Sequence, residues 1–273
     1  MSAPATHAPP AAPPAAPPAA PHRTRRWLPA GTVYGTLLNF RREHDLWAPQ
    51  MAEAPYQSAP QAPVLYVKTA NTFAPDGAAV AAPGALWLGP TLGLVVGDSV
   101  SNSPAAPGAR ALAAIENIVI GGVTVAACVL ANDLSLPHDS YYRPAIRYRN
   151  RDGFLVCGAQ PVPVAQVDLH TLKIEAWLNG ARVQTIDLAT LVRSAAALLA
   201  DVNAFMTLQP GDVLLVGTDC LADGSRPLAQ AGDRIEIRAP GFSTLSHTCI
   251  AEDARAPAGG SEDAAARSAG ASS

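Results

Sequence analysis

The sequence predicts a mainly β domain, of the α+β class, with few helices. Short runs rich in Val, Ile and Leu alternate with Gly, Pro, Asn and Asp along most of the chain, a pattern typical of closely spaced strands. An Asn-Gly pair at 179–180 separates two such runs and predicts a β-hairpin. Only the segment 188–205 carries apolar residues at a sustained 3.6-residue period, which predicts one long amphipathic helix.

The composition fits one globular domain. The chain has 273 residues, of which 49% are hydrophobic and 15% charged, so it contains ample material for a core. A net charge of −3 argues against nucleic acid or an anionic membrane as partner. The longest apolar run, 118–131, is interrupted by glycines and too short to span a bilayer. Four widely separated cysteines predict free thiols and a cytoplasmic location.

Both ends of the chain are expected to be tails. Residues 1–26 are rich in Ala and Pro and predict a disordered or polyproline-II segment. Arg25 and Arg26 could belong to an export signal, but the segment after them lacks a clean apolar core. Residues 253–273, rich in Ala, Gly and Ser, predict a second disordered tail. The folded domain is therefore expected at 27–252.

The elements of the first half follow from local patterns. Residues 31–38 are predicted as a strand that leads into a loop, 43–54 as helical and 55–63 as a Pro-rich loop. Short apolar runs bounded by turn residues predict strands at 64–68 and 92–96. The β-branched run at 123–130 predicts another strand, which ends at the polar pair Asn132-Asp133.

The elements of the second half include the hairpin and the predicted helix. The hairpin strands are expected at 172–178 and 182–186. After the helix at 188–205, two turns that contain Gly-Asp precede expected strands at 213–216 and 234–238. We find no internal repeat.

Polar side chains concentrate between positions 132 and 152. Asp133, at the end of a buried strand, is a candidate ligand for a cation or a polar substrate. Arginines at 143, 147, 149 and 151 suit a multi-anionic ligand, because guanidinium groups bind carboxylates through a planar fork. A solvated, salt-bridged loop is the alternative interpretation. The pair His138-Asp139 is expected to be a solvated loop feature, and His247 to lie near the surface.

Several collinear segments resemble the fumarylacetoacetate hydrolase family. Residues 130–135 (LANDLS) resemble its LANDVS segment, and residues 208–218 (LQPGDVLLVGT) are similar to its LxPGDVIxxGT segment. Asn179-Gly180 through Gln184, and Lys68 with Asn71-Thr72, match two further regions. The resemblance implies that family's mixed β-sandwich roll.

Residues 140–146, 151–154 and 227–235 resemble one branch of the family more closely. They are similar to the N-terminal half of an isomerase/decarboxylase of 4-hydroxyphenylacetate catabolism. This implies a subunit of a 2-hydroxyhepta-2,4-diene-1,7-dioate isomerase and 5-oxopent-3-ene-1,2,5-tricarboxylate decarboxylase, with a dicarboxylate or tricarboxylate substrate. It also implies a homo-oligomer or a hetero-oligomer with a paralogous C-terminal-type subunit. An autonomous metal-dependent isomerase or hydrolase and a non-catalytic scaffold are the alternatives.

The resemblance also implies site residues, and here the chain departs from the family pattern. Active members hold Mg²⁺ or Mn²⁺ with a Glu-x-Glu pair and the Asp of the Asn-Asp segment. Only Asp133 is retained, because Gly89 and Thr91 stand at the two glutamate positions. Glu43 stands where the family has a lid histidine, while His44 and Asp45 are each displaced by one residue. The resemblance implies catalytic roles for Arg149, Asp152 and Lys68, substrate binding by Arg143, Asn71 and Thr218, and metal binding by Asp133.

Overall fold

A computed structural model describes residues 26–98, 117–138 and 146–254. Within these ranges the chain forms sixteen strands and three α-helices, with short 3₁₀ turns between them. The strands are β1 (Val33–Leu37), β2 (Val64–Lys68), β3 (Phe73–Pro75), β4 (Ala79–Ala82), β5 (Leu86–Trp87), β6 (Pro90–Val96), β7 (Ile118–Ile120), β8 (Val123–Asp133), β9 (Leu155–Cys157), β10 (Val162–Pro163), β11 (Lys173–Leu178), β12 (Ala181–Asp187), β13 (Val213–Leu215), β14 (Leu228–Ala229), β15 (Arg234–Arg238) and β16 (Leu245–Ala251). The helices are α1 (Arg41–Met51), α2 (Ile146–Arg149) and α3 (Ala195–Asn203).

Most strands belong to two mixed sheets. The larger one has nine strands and the order β2-β1-β13-β6-β8-β9-β3, with β7 and β10 also paired to β8. The smaller one has five strands in the order β12-β11-β15-β16-β4, and β5 and β14 form a separate pair. This mainly β architecture with few helices confirms the predicted fold class.

The larger sheet is rolled. In a flat sheet, β2 and β8 would lie about 19 Å apart, because they are separated by four steps of about 4.8 Å. Instead, Lys68 at the end of β2 contacts Asp133 at the end of β8, with Nζ 2.9 Å from Oδ1. The short connection 69–72 joins β2 to β3 on the opposite edge, which is possible only because the sheet curls and brings its edges together.

The two faces of the rolled sheet pack into two separate hydrophobic clusters. The outer face, with residues such as Leu92 and Leu94, packs against the five-stranded sheet and α3 in the main hydrophobic core. The inner face carries residues such as Val129, Ala131 and Leu215, within a second cluster. Alternation along the strands produces this separation.

Most predicted elements are confirmed, but the helix predicted at 188–205 is confirmed only for residues 195–203. Residues 188–190 form a 3₁₀ turn, and α3 begins at Ala195 with Ser194 as its N-cap. Asn39 explains the interruption: its carbonyl accepts from Val192 N at 2.8 Å and its Oδ1 accepts from Arg193 N at 2.9 Å. These contacts hold the segment before Ser194 extended, so tertiary hydrogen bonds override the helical period.

The hairpin turn is confirmed at Asn179-Gly180, where both residues have positive φ, as a type I′ turn requires. Strand β8 extends three residues beyond its predicted end and includes the Asn-Asp pair. The four cysteines are free thiols. Within the described ranges, none of the helices is long and apolar enough to cross a bilayer. The predicted tails fall almost entirely outside the described residues, so the domain limits stay predictions.

Candidate functional site: a carboxylate enclosed by cations

The site lies at one end of the rolled sheet, on its inner face. Along β8 the inner-facing residues are Val129 and Ala131, so strand alternation turns Asp133 to the same side. On β2, Tyr66 and Lys68 stand opposite Gly35 and Val33, which places them on that face as well. The roll then brings the ends of β2 and β8 together around the carboxylate of Asp133.

Three side chains surround this carboxylate. Lys68 Nζ lies 2.9 Å from Asp133 Oδ1, and Arg149 Nη1 lies 3.1 Å from Oδ2. The Tyr66 hydroxyl donates to Oδ2, and its ring lies beneath the guanidinium of Arg149, 4.8 Å from the ring centroid to Cζ. Asp133, Lys68 and Arg149 are all at least 95% buried. We call Tyr66, Lys68, Asp133 and Arg149 the Asp133 cluster.

Gly35 makes room for the tyrosine. A Cβ atom at position 35 would overlap the Tyr66 ring and its hydroxyl group. The ring therefore crosses the neighbouring strand at a position without a side chain, and this aims its hydroxyl at Asp133. Sequence reasoning did not identify either residue as part of the site, because only the strand register reveals that they are paired.

The charges in the cluster do not balance. Lys68 Nζ donates to the carbonyls of Arg149 and Phe154 and lies 2.9 Å from Asp133 Oδ1, a set of oxygen neighbours that suits a charged ammonium group. Burial alone would raise the pKa of Asp133, but Lys68 and Arg149 outweigh it and hold this pKa below its ordinary value. Two cations therefore face one carboxylate, which leaves one net positive charge. Among the described residues, Arg149 Nε has no hydrogen-bond partner.

Burial also perturbs the two other titratable groups of the cluster. Desolvation raises the pKa of Tyr66 well above its ordinary value, and the neighbouring Asp133 charge adds to this effect, so Tyr66 is a neutral donor. Desolvation lowers the pKa of Lys68, and Asp133 opposes that shift. The cluster is therefore an ordered set of donors around one carboxylate.

The residues present do not fit a divalent cation. A Cβ atom at Gly89 would overlap the carbonyl oxygen of Asp133, so this backbone does not accept a glutamate there. Thr91 Oγ1 donates to the Gly217 carbonyl at 2.6 Å, and Lys68 and Arg149 occupy both oxygens of Asp133. In the described ranges, no three His, Cys, Asp or Glu side chains gather as a metal site. A hard dication needs more anionic oxygen than this position offers.

A second buried ion pair lies next to the Asp133 cluster. Glu43 on α1 pairs with Arg226, and both side chains are at least 95% buried. Arg226 also lies over the Trp87 ring, 6.0 Å from its centroid, and its charge lowers the pKa of Tyr66 slightly against the larger opposing effects. The position of the family's lid histidine is therefore taken by a carboxylate held by an arginine.

The displaced His44-Asp45 pair lies on the exposed side of α1. His44 Nδ1 is 3.3 Å from Asp45 Oδ1, and the Asp45 side chain is 65% exposed. A one-residue step turns a helical side chain by about 100°, which accounts for the burial of Glu43 and the partial exposure of His44.

Asn132 connects the cluster to the smaller sheet. Its Oδ1 accepts from Gly89 N at 2.9 Å, and its Nδ2 lies 2.9 Å from Nε2 of His247 on β16. His247 is buried, which corrects the expectation of a surface position, and desolvation lowers its pKa to about 4. The ring is therefore neutral near pH 7 and accepts from Asn132. This contact fixes the side chain next to Asp133.

The remaining predicted site residues are spread over the molecule. Asn71 and Asp152 are exposed and bonded to each other, with Nδ2 2.8 Å from Oδ1. Thr218 is buried in the loop after β13, and its Oγ1 has no hydrogen-bond partner among the described residues. Arg143 lies outside the described residues, as does Asp139.

The three described arginines of this segment, Arg147, Arg149 and Arg151, do not converge on one site. Arg149 is buried in the Asp133 cluster, Arg147 is exposed, and Arg151 pairs with Glu252 at the surface. His138 is half-buried and stacks on Tyr148, with 5.2 Å between the ring centroids, so it is not a simply solvated side chain. Of the predicted site residues, the structure brings together Lys68, Asp133 and Arg149.

A family model described as "Fumarylacetoacetate (FAA) hydrolase C-terminal" matches residues 32–250. The chain belongs to the fumarylacetoacetate hydrolase family. It is 36% identical over 225 residues to a 4-hydroxyphenylacetate degradation bifunctional isomerase/decarboxylase of Salmonella dublin, which covers 82% of this chain and 48% of that protein. It is 34% identical to an Escherichia coli protein of the same description, over 81% of this chain and 48% of that one. The chain thus spans about half the length of these curated relatives.

Solved structures agree on the fold. A 5-carboxymethyl-2-hydroxymuconate delta-isomerase from Mycobacterium smegmatis superposes with a TM-score of 0.60 at 23% identity, covering 83% of this chain and 82% of that one. A fumarylpyruvate hydrolase from Pseudomonas aeruginosa, solved with Mn²⁺ and pyruvate, gives 0.60 at 19% identity and covers 85% and 94%. At these identities the likeness concerns the fold of this family member.

Proposed function

We propose that this family member is one subunit of an isomerase/decarboxylase of 4-hydroxyphenylacetate catabolism, which acts together with a paralogous subunit in the cytoplasm. The substrates would be 2-hydroxyhepta-2,4-diene-1,7-dioate and 5-oxopent-3-ene-1,2,5-tricarboxylate. The relatives that carry this description support the proposal, since they are about twice as long as the matched segment. The observation that carries it is the Asp133 cluster, whose net positive charge suits an anionic substrate.

The chemistry explains why a second subunit is proposed. Ketonising a 2-hydroxydiene acid, or losing the carboxyl group that is joined to a 2-oxo group through a C=C bond, places negative charge on a dienolate oxygen. Fixed positive groups such as Arg149 lower the energy of that charge. Proton transfer to carbon needs a positioned acid or base. At the lid position Glu43 is already paired with Arg226, and the partly exposed His44 contacts Asp45, so we assign proton transfer and the family's Mg²⁺ or Mn²⁺ to the partner.

Reconstitution tests this proposal. The chain, a metal-bearing paralogue with the Glu-x-Glu pair, and their mixture are each assayed for loss of the diene absorbance. We expect no turnover by the chain alone, co-elution of the two proteins, and a higher rate in the mixture. Turnover by the chain alone would support an autonomous enzyme instead. Co-elution without any change in rate would support a non-catalytic scaffold.

A further inference from the structure

We infer that Lys68 and Arg149 take the place of a divalent cation at Asp133, so that this chain binds a small organic carboxylate directly and without metal. The contacts within the Asp133 cluster support this exchange of cations. The ligand class rests on the proposed function, because the dicarboxylate and tricarboxylate substrates supply the carboxylate and enolate oxygens.

Cations already fill the space next to the Asp133 carboxylate. Both oxygens of Asp133 are in contact with cationic nitrogens, at 2.9 Å and 3.1 Å. A dication bound to the same carboxylate would lie beside two further positive charges, and like charges this close in a buried site repel strongly. Lys68 lies on β2 and Arg149 on α2. Because the two side chains come from different elements, movement of one of them would leave the other at the Asp133 carboxylate.

Gly89 stands where the family's metal site has a glutamate, and the local backbone favours glycine there. Gly89 and Asp133 lie opposite each other, and Asp133 N donates to the Gly89 carbonyl at 2.8 Å. This close approach of the two backbones is what a Cβ atom at position 89 would disrupt. The glycine at position 89 and the two cations around Asp133 therefore belong to one arrangement. In this arrangement the metal position is filled by side-chain cations.

The Asp133 cluster holds more positive than negative charge. After Asp133 is neutralised by one cation, the other is left uncompensated within the cluster. Arg149 is the better candidate for ligand contact, because Lys68 Nζ already donates to two backbone carbonyls and lies 2.9 Å from Asp133 Oδ1. Arg149 Nε is buried without a partner in the described part of the chain. A buried donor of this kind is favourable only when an acceptor reaches it, and a carboxylate is the acceptor that guanidinium groups bind best.

Calorimetry on the full chain tests the inference, with 2-oxoglutarate as the probe. Titrations are made with EDTA and, separately, with Mn²⁺ in place of EDTA. We expect 2-oxoglutarate to bind with the same affinity, within about twofold, in both buffers. A titration with Mn²⁺ alone should show no saturable site up to about 1 mM. Micromolar Mn²⁺ binding, 2-oxoglutarate binding that requires Mn²⁺, or no 2-oxoglutarate binding in either buffer would each overturn the inference.

Variants then locate the binding group. Arg149→Met should weaken 2-oxoglutarate at least about tenfold, and it should remain folded because Lys68 and Asp133 still form a balanced pair. Arg149→Lys keeps the charge without the planar fork and should give an intermediate affinity. Arg147→Met is the matched control, since Arg147 lies on the same helix but is exposed; its affinity should be unchanged. Equal affinity in Arg149→Met and Arg147→Met would contradict the inference, even if reconstitution with a paralogue succeeds.

Discussion

The variant Asp133→Asn distinguishes two roles of this residue, a carboxylate paired with internal cations and a metal ligand. The two roles predict opposite changes in the free energy of unfolding. The change keeps the shape of the side chain but removes its charge. Asp133 is 4% exposed, and Lys68 and Arg149 are no more exposed than that. Both cations would then be buried with no anion in the cluster. Removing one partner of a buried ion pair typically lowers the free energy of unfolding by about 3–5 kcal/mol.

We expect a loss of this size for Asp133→Asn, which is a large part of the total stability of an ordinary domain. At a site where carboxylates cluster to bind metal, neutralising one of them would instead relieve repulsion in the metal-free protein. Urea unfolding followed by circular dichroism at pH 7 measures the difference. Asp201→Asn is the control, since it breaks an exposed pair with Arg193 and should change stability by less than about 1 kcal/mol. A loss below about 1 kcal/mol for Asp133→Asn, or a gain, would refute this account of the site.

Three further predictions concern the surroundings of the site. Gly35→Ala should displace the ring of Tyr66 and destabilise the fold by at least about 2 kcal/mol. Tyr66→Phe removes one hydrogen bond and should destabilise the fold less. Equal unfolding midpoints for the two variants would contradict this order. Because His247 titrates near 4 in the folded chain and near 6.5 when unfolded, about 3 kcal/mol of stability should be lost as the pH falls from about 6.5 to 4. In urea unfolding across this range, the free energy of unfolding of His247→Gln should depend less on pH than that of the unchanged protein. The same pH dependence in both proteins would contradict a buried neutral imidazole at position 247. Glu43→Gln should lower the free energy of unfolding by about 2–4 kcal/mol, since it leaves the Arg226 charge without its carboxylate; a change within about 0.5 kcal/mol would show that the pair contributes little.

The sequence predicted much of the fold, because strand length, turn chemistry and the Asn-Gly hairpin are local properties. The error at 188–205 arose where a distant residue decides the structure. The apolar period continues through that segment, yet Asn39 binds the backbone N–H groups of Val192 and Arg193 and keeps them out of the helix. Strand β16 was missed, since His247 is polar and its burial depends on a bond to Asn132, which is 115 residues away in the chain.

The site was predicted only in part, for a similar reason. Asp133, Lys68 and Arg149 could be named from the sequence through the family resemblance, and the structure places them together. Tyr66 could not, since its role depends on the empty position at Gly35 across the strand pair. The pairing of Glu43 with Arg226 spans 183 residues and has no local signal. Gly89 marked the loss of a ligand, but only the backbone contact with Asp133 explains why glycine is required there.

Anomalous scattering from crystals of the full chain grown with Mn²⁺ tests the central claim most directly. The account predicts no manganese peak within about 3 Å of the Asp133 carboxylate, well beyond the usual metal–oxygen distance, and it predicts that Lys68 and Arg149 still contact both carboxylate oxygens. A manganese peak bonded to Asp133, with Lys68 or Arg149 turned away, would contradict it.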